Sequence, residues 1–154
     1  MRDAQHFVRD FQSFWEAPSA ERMGDLLRPD VLLLQPLARP LRGLAAARLE
    51  FGRIFRLMPD LRGEVDRWAA AGDALFIELR LSGTVGGSRV EWPVVDRFLL
   101  RDGMASERVS YFDPSRLASA FARRPRCWPG LVRSGIWRGW LGGARAGGAQ
   151  RHLA

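Results

Sequence analysis

The sequence predicts an α+β domain, with helices packed on one face of a curved sheet, and three observations predict it. Apolar residues recur at helical spacing up to Met58. After Pro59 the period changes to two. Turn signals then divide the chain into a run of antiparallel strands closed by one further helix.

The elements follow in order. Phe7, Val8, Phe11, Phe14 and Trp15 form one apolar stripe, so residues 4–16 are predicted helical, ended by Pro18. Ser19 is a fitting N-cap for a short helix at about 20–27, with Met23, Leu26 and Leu27 on one side. Val31 to Leu34 reads as a buried strand, and Gln35-Pro36 through Gly43 as a loop. Leu44, Ala47, Phe51, Ile54, Phe55 and Met58 mark a third helix, stopped by Pro59. Arg62 to Ala70 is a strand, followed by a turn at Ala71-Gly72-Asp73. Leu75, Ile77, Leu79 and Leu81 then alternate with Phe76, Glu78, Arg80 and Ser82. Gly83 to Ser88 is a hairpin connection without a phosphate-binding pattern. Val90 to Leu100 is a long strand, Asp102-Gly103 a hairpin turn, and Ala105 to Phe112 the last strand. Asp113-Pro114 has the N-cap and first-position proline that open a helix to about Arg123.

Composition excludes several functions. The chain has 154 residues, enough for one ordinary domain. All 24 basic residues are arginine, which excludes a lysine Schiff base and a P-loop lysine. The two histidines, His6 and His152, sit near opposite ends, which argues against a His-rich metal site or a Ser-His-Asp triad. A single cysteine, Cys127, allows no intramolecular disulfide and reads as a free thiol. The first residues lack an apolar signal core, and no apolar run approaches the roughly 20 residues of a membrane span. The expected location is cytoplasmic.

Charge divides the chain in two. All 17 acidic residues lie in 1–113, against 16 arginines; the remainder holds eight arginines and no acid. The expected organisation is a domain over residues 1–124 and a basic, Trp/Gly-rich tail over 125–154. A basic tail suggests an arm, not a nucleic-acid-binding face, so no nucleic acid is expected. Its tryptophans and arginines also suit peripheral contact with an anionic membrane surface.

The order of elements and their punctuation resemble the SnoaL-like branch of the nuclear transport factor two-like superfold. The matching features are the aromatic first helix, Pro29-Asp30-Val31, Gln35-Pro36 with Gly43, Met58-Pro59-Asp60-Leu61, Val95-Asp96-Arg97-Phe98, Arg101-Asp102-Gly103, and Glu107 leading to Tyr111-Phe112-Asp113. The resemblance covers about residues 4–122. It implies a cone: a strongly bent antiparallel sheet wrapped around helices, enclosing one mostly apolar pocket. Its members include ketosteroid isomerases, polyketide cyclases and limonene-epoxide hydrolases, besides proteins without enzymatic activity.

Residue by residue, the resemblance is selective. The isomerases' Asp-Pro base position reads Gln35-Pro36, their first-helix tyrosine reads Phe11, and their strand acid is matched by Asp96. The epoxide hydrolases' Arg-x-Asp pair reads Glu78-Leu79-Arg80, their last-strand acid reads Ser110, and their water site reads Leu32 and Leu34. The resemblance therefore implies cofactor-free chemistry, without a metal, by an isomerase, cyclase or dehydratase on a polyketide-, steroid- or terpenoid-like carbonyl compound. Asp96 would be the acid. The alternative it implies is a non-catalytic ligand-binding or assembly module.

The residues point to the same place. Trp92, Val94, Asp96, Phe98 and Leu100 share one strand face by period two. An aspartate among such neighbours is either buried and neutral, hence a donor or general acid, or paired with a cation. The candidate partners are Glu78, Arg80, Arg108 and Ser110, and the candidate lining is Phe11, Trp15, Leu34, Phe55, Met58, Trp92 and Phe112. The expected ligand is a small apolar or amphipathic molecule. If Glu78 points into the cone, the Leu75/Ile77/Leu79/Leu81 stripe points out and needs cover, which predicts a homodimer.

Overall fold

The computed structural model describes residues 2–134. It contains α1 (Arg2–Glu16), β1 (Leu27–Leu34), β2 (Leu41–Arg42), α2 (Leu44–Leu57), β3 (Arg62–Ala71), β4 (Ala74–Val85), β5 (Ser88–Arg101), β6 (Met104–Tyr111), α3 (Pro114–Ala122) and α4 (Trp128–Ser134). The strands form one sheet in the order β2-β1-β6-β5-β4-β3. All neighbours pair antiparallel except β1 and β6, which run parallel with Leu32 opposite Glu107 and Leu34 opposite Val109. The predicted α+β architecture is thus observed, with one parallel pair in the sheet.

Local chemistry sets the boundaries. Gly43 takes φ 85° to start α2 while its N–H donates to the Val31 carbonyl at 2.7 Å. Asp102 and Gly103 both have positive φ, the conformation that lets a two-residue turn follow the twist of β5 and β6. Asp113 caps α3 by accepting from the Ser115 N–H at 2.9 Å, which holds its carboxyl below the usual carboxylate range. The expected second helix is instead a 3-10 turn over Glu21–Asp25. β1 starts four residues earlier than expected, because Leu27 pairs with Ala105 across an irregular stretch that includes exposed Pro29 and Asp30 and hides the alternation. The two-residue strand β2, antiparallel to Leu32 and Leu33, lies inside the expected loop.

The core lies between the helices and the inner face of the sheet. Phe7 and Phe11 of α1 pack on Phe98 of β5, with ring centroids 5.0 and 5.3 Å apart. Burying each ring contributes about 1.5–3 kcal/mol. Leu75, Ile77, Leu79 and Leu81 all face this core, the middle two fully buried. That overturns the expectation of an outward leucine stripe: period two holds in β4, but the polar set, not the leucines, is on the outside. The dimer contact inferred from that stripe loses its surface.

The segment after residue 124 begins as ordered chain. A 3-10 turn over Pro125–Cys127 leads into α4, which lies against α2. Residues 135–154, on which most of the basic tail falls, are outside the described residues. Among the described residues, no helix is long and apolar enough to cross a membrane.

Candidate functional site

Between α1, α2, α3 and the inner face of the sheet lies a cavity of about 80 Å³. That is room for roughly six water molecules. α2 lines the cavity with Phe51, Ile54 and Leu57, and Met58 follows at the helix end. Leu81, Trp92 and Val94 come from β4 and β5, Trp15 from α1, and Leu117 and Phe121 from α3. Gln35, Pro36 and Leu37 add one edge of loop, in which Leu37 holds φ 66°, a conformation that bulky residues rarely adopt.

Polarity is concentrated on β6. Arg108 and Ser110, both buried, share its inner face by period two and line the cavity. Arg108 is the single ionisable side chain among the described lining residues. Its Nε donates to Asp96 Oδ2 at 2.9 Å, its Nη2 donates to Ser110 Oγ at 3.3 Å, and its guanidinium lies 5.5 Å from the centre of the Phe51 ring. The antiparallel register places Asp96 directly opposite Ser110, which is why an arginine two residues before the serine reaches the aspartate. Asp96 is fully buried and is not among the lining residues; its Oδ1 has no hydrogen-bond partner among the described residues. The order from the cavity inward is Arg108, then Asp96. Of the two states the sequence left open for Asp96, the paired one is observed.

A second, smaller cavity of about 30 Å³ lies behind the first, bounded by Phe7, Phe11, Phe14, Met23 and Phe98. Trp15, Phe51 and Arg108 line both and form the partition between them. The Trp15 Nε1–H is buried and has no hydrogen-bond partner among the described residues.

The sequence-predicted site residues thus separate into groups. Asp96, Arg108, Ser110, Trp15, Met58, Trp92 and Phe112 come together at the main cavity or directly behind it. Phe11 lines the smaller cavity. Phe55 packs against the Phe14 and Phe51 rings, and neither it nor Leu34 lines either cavity. Glu78 and Arg80 are corrections: both lie on the outer face of β4, because the leucines take the inner one. Glu78 pairs with Arg67, whose pKa the carboxylate pushes up. Arg80 pairs with Asp66 at 2.8 Å and also reaches Glu64 and Glu91. Its guanidinium holds the Asp66 carboxyl below its usual range. The sequence reading missed Gln35 to Leu37 as lining, although it had named Gln35-Pro36 as a family position. It also missed Phe51, Leu117 and Phe121, whose helical spacing marks burial but not which core positions border a void.

One further contact frames the cavity. The Asp60 carboxylate accepts from the Thr84 hydroxyl at 2.6 Å and the Thr84 N–H at 3.0 Å, fixing the turn between Met58 and Leu61 to the end of β4. These hydrogen bonds hold Asp60 below its ordinary value.

Comparison with known proteins agrees with this architecture. No match is found among curated proteins. Among solved structures, the chain is similar to a protein of Jannaschia sp. CCS1 proposed to be a SnoaL-like polyketide cyclase, at 20% identity and TM-score 0.71, covering 80% of this chain and 94% of that one. It is similar to a Mycobacterium tuberculosis epoxide hydrolase of the limonene-epoxide hydrolase type, at 20% identity and TM-score 0.66, covering 80% and 92%. A third similar structure, from Catenulispora acidiphila, has a ketosteroid isomerase-like fold and bound trimethylamine, at 15% identity and TM-score 0.68, covering 75% and 92%. At these identities the likeness shows the fold. The family model for the SnoaL-like domain matches residues 8–108, and the chain therefore belongs to the SnoaL-like family of the nuclear transport factor two-like fold.

Proposed function

We propose that this chain binds a small, largely apolar molecule through one neutral oxygen, a ketone or similar carbonyl, held by Arg108 and Ser110. The observation that supports this most is the buried Asp96–Arg108 pair at the cavity wall. The cavity is otherwise lined by hydrocarbon, so a ligand's single polar atom gains most beside the guanidinium and hydroxyl.

The pair also decides the ligand's charge. A carboxylate about 4 Å from the guanidinium would gain about 4 kcal/mol at an effective dielectric of about 20. At ~6 Å from Asp96 it would lose about 3 kcal/mol of that. Desolvating the anion costs several kcal/mol more. A neutral carbonyl avoids the repulsion and most of the desolvation. Asp96 thus acts through Arg108, holding its orientation and balancing its charge.

The test compares 2-heptanone with heptanoate by quenching of tryptophan fluorescence, since Trp15 and Trp92 line the cavity. Saturable quenching by the ketone, at least tenfold tighter than by the acid, and weakened by Ser110→Ala, is the expected result. Equal or tighter binding of heptanoate, or no binding of the ketone, contradicts it.

One observation favours a second reading, an isomerase, cyclase or dehydratase with Asp96 as acid. Asp96 Oδ1 is buried and has no hydrogen-bond partner among the described residues, so it has a lone pair available for a proton. That chemistry requires Arg108 to move aside when ligand enters. Exchange of the ketone's α-hydrogens in D2O, followed by NMR, separates the readings: no exchange above buffer is expected of a binder, and exchange abolished by Asp96→Asn would establish the enzyme.

A further inference from the structure

The last wall of the cavity comes from chain beyond the segment matched by the family model, which ends at residue 108. Phe112, Leu117 and Phe121 line the cavity, and Leu117 and Phe121 are themselves buried. Three attachments hold α3 in this place. Asp113 and Pro114 fix its start. At its end, Arg124 packs so closely on the β4–β5 hairpin that a Cβ added to Gly86 would lie 2.9 Å from the Arg124 Cβ. The Trp128 Nε1–H then donates to the Phe121 carbonyl at 3.0 Å, which ties α3 to α4. α4 in turn lies on α2, where a Cβ added to Gly130 would meet the Leu57 side chain at van der Waals distance. Leu57 also lines the cavity. Residues 113–134 are therefore a bracket from the hairpin to α2, with two of its side chains forming cavity wall.

We infer that Leu117 and Phe121 determine ligand size, and that α4 braces them, so this bracket limits the pocket to ketones about as long as 2-heptanone or 2-octanone. The inference rests on the ligand-binding reading above. Truncating Phe121 to alanine removes six carbons from the wall, and α4 keeps the helix from closing the space. Each methylene newly accommodated should tighten binding about fourfold, the equivalent of its transfer from water.

The experiment measures tryptophan quenching by straight-chain 2-alkanones from 2-pentanone to 2-undecanone, on the full chain and on Phe121→Ala and Leu117→Ala, with thermal melts to establish folding. The wild type should bind best near 2-heptanone or 2-octanone. Phe121→Ala should prefer a ketone about two to four carbons longer, with 2-decanone at least tenfold tighter relative to 2-heptanone than in the wild type. Leu117→Ala, the milder truncation, should shift the preference the same way by about two carbons. Arg80→Ala on the outer face should leave the preference unchanged. A merely structural role would weaken all ketones together. A wild type that binds ketones while both truncated variants keep its preference overturns this inference alone; a wild type that binds none overturns it together with the binding reading.

Discussion

The two faces of the sheet hold arginine–carboxylate pairs of similar geometry and opposite consequence. On the inner face, the Arg108 and Asp96 side chains are 9% and 0% exposed. On the outer face, Arg80 is 43% exposed and shares its charge among three carboxylates. In water the attraction of such a pair is screened, side-chain entropy opposes it, and the net is about 0–1 kcal/mol. Inside, the pair is neither cheap to form nor safe to break: desolvation offsets its attraction, but removing one partner strands a buried charge. The outer pairs make a soluble surface. The inner pair fixes a polar anchor in a hydrocarbon cavity.

The comparison breaks first at Arg108. Arg108→Met should destabilise the fold by about 3–5 kcal/mol in urea titration, because Asp96 then has no counter-charge. The double variant Asp96→Leu/Arg108→Met should recover most of that loss while still failing to prefer ketone over hydrocarbon. A cost below 1 kcal/mol for the single variant would mean that the pair is wetter than its burial says. Gly63→Ala sharpens the inner side of the contrast. Its Cβ would come 2.9 Å from Trp15 Cγ and 3.0 Å from Leu81 Cδ2. An indole ring and a buried leucine cannot both retreat, and a loss of about 1–3 kcal/mol is expected. Arg80→Ala should cost little at low ionic strength and nothing measurable in 1 M salt.

The smallest effect is on acid stability. The folded-state pKa of Asp60 is lowered by its Thr84 hydrogen bonds. Its contribution to stability is therefore complete above the unfolded value of about 3.9 and is lost as pH falls through the lowered folded value. Asp60→Asn should flatten the stability–pH curve in that acid window and leave its slope near pH 7 unchanged, as measured by urea midpoints across pH.

The element order was legible because Pro59 separates two clean periodicities and because Asp102-Gly103 and Asp113-Pro114 are chemically decisive punctuation. Asp96 was legible as an inward acid for the same reason, its alternation with Trp92, Val94 and Phe98. What failed was the facing of β4. Alternation in Leu75 to Ser82 defines two faces but not which is inside, and aligning Glu78 and Arg80 with family charges chose the wrong one. Burial energy decides it: three leucines and an isoleucine gain more inside than a glutamate and an arginine that water already solvates. Arg108 could not be ranked above Arg80 as the partner of Asp96 without the β5–β6 register. The cavity's α3 wall was invisible because a side chain lining a void and one packed solid obey the same periodicity.

On the proposed function, the inner-face arginine, and not its outer-face counterpart, receives the ligand. The measurement is the NMR spectrum of arginine Nε–H groups during titration with 2-heptanone, with the Arg108 and Arg80 signals assigned by Arg108→Lys and Arg80→Lys. The account predicts a saturable shift of the Arg108 signal, with the Arg80 signal still. An Arg108 signal that stays fixed while the tryptophan fluorescence saturates, or a ketone that moves neither, would contradict it.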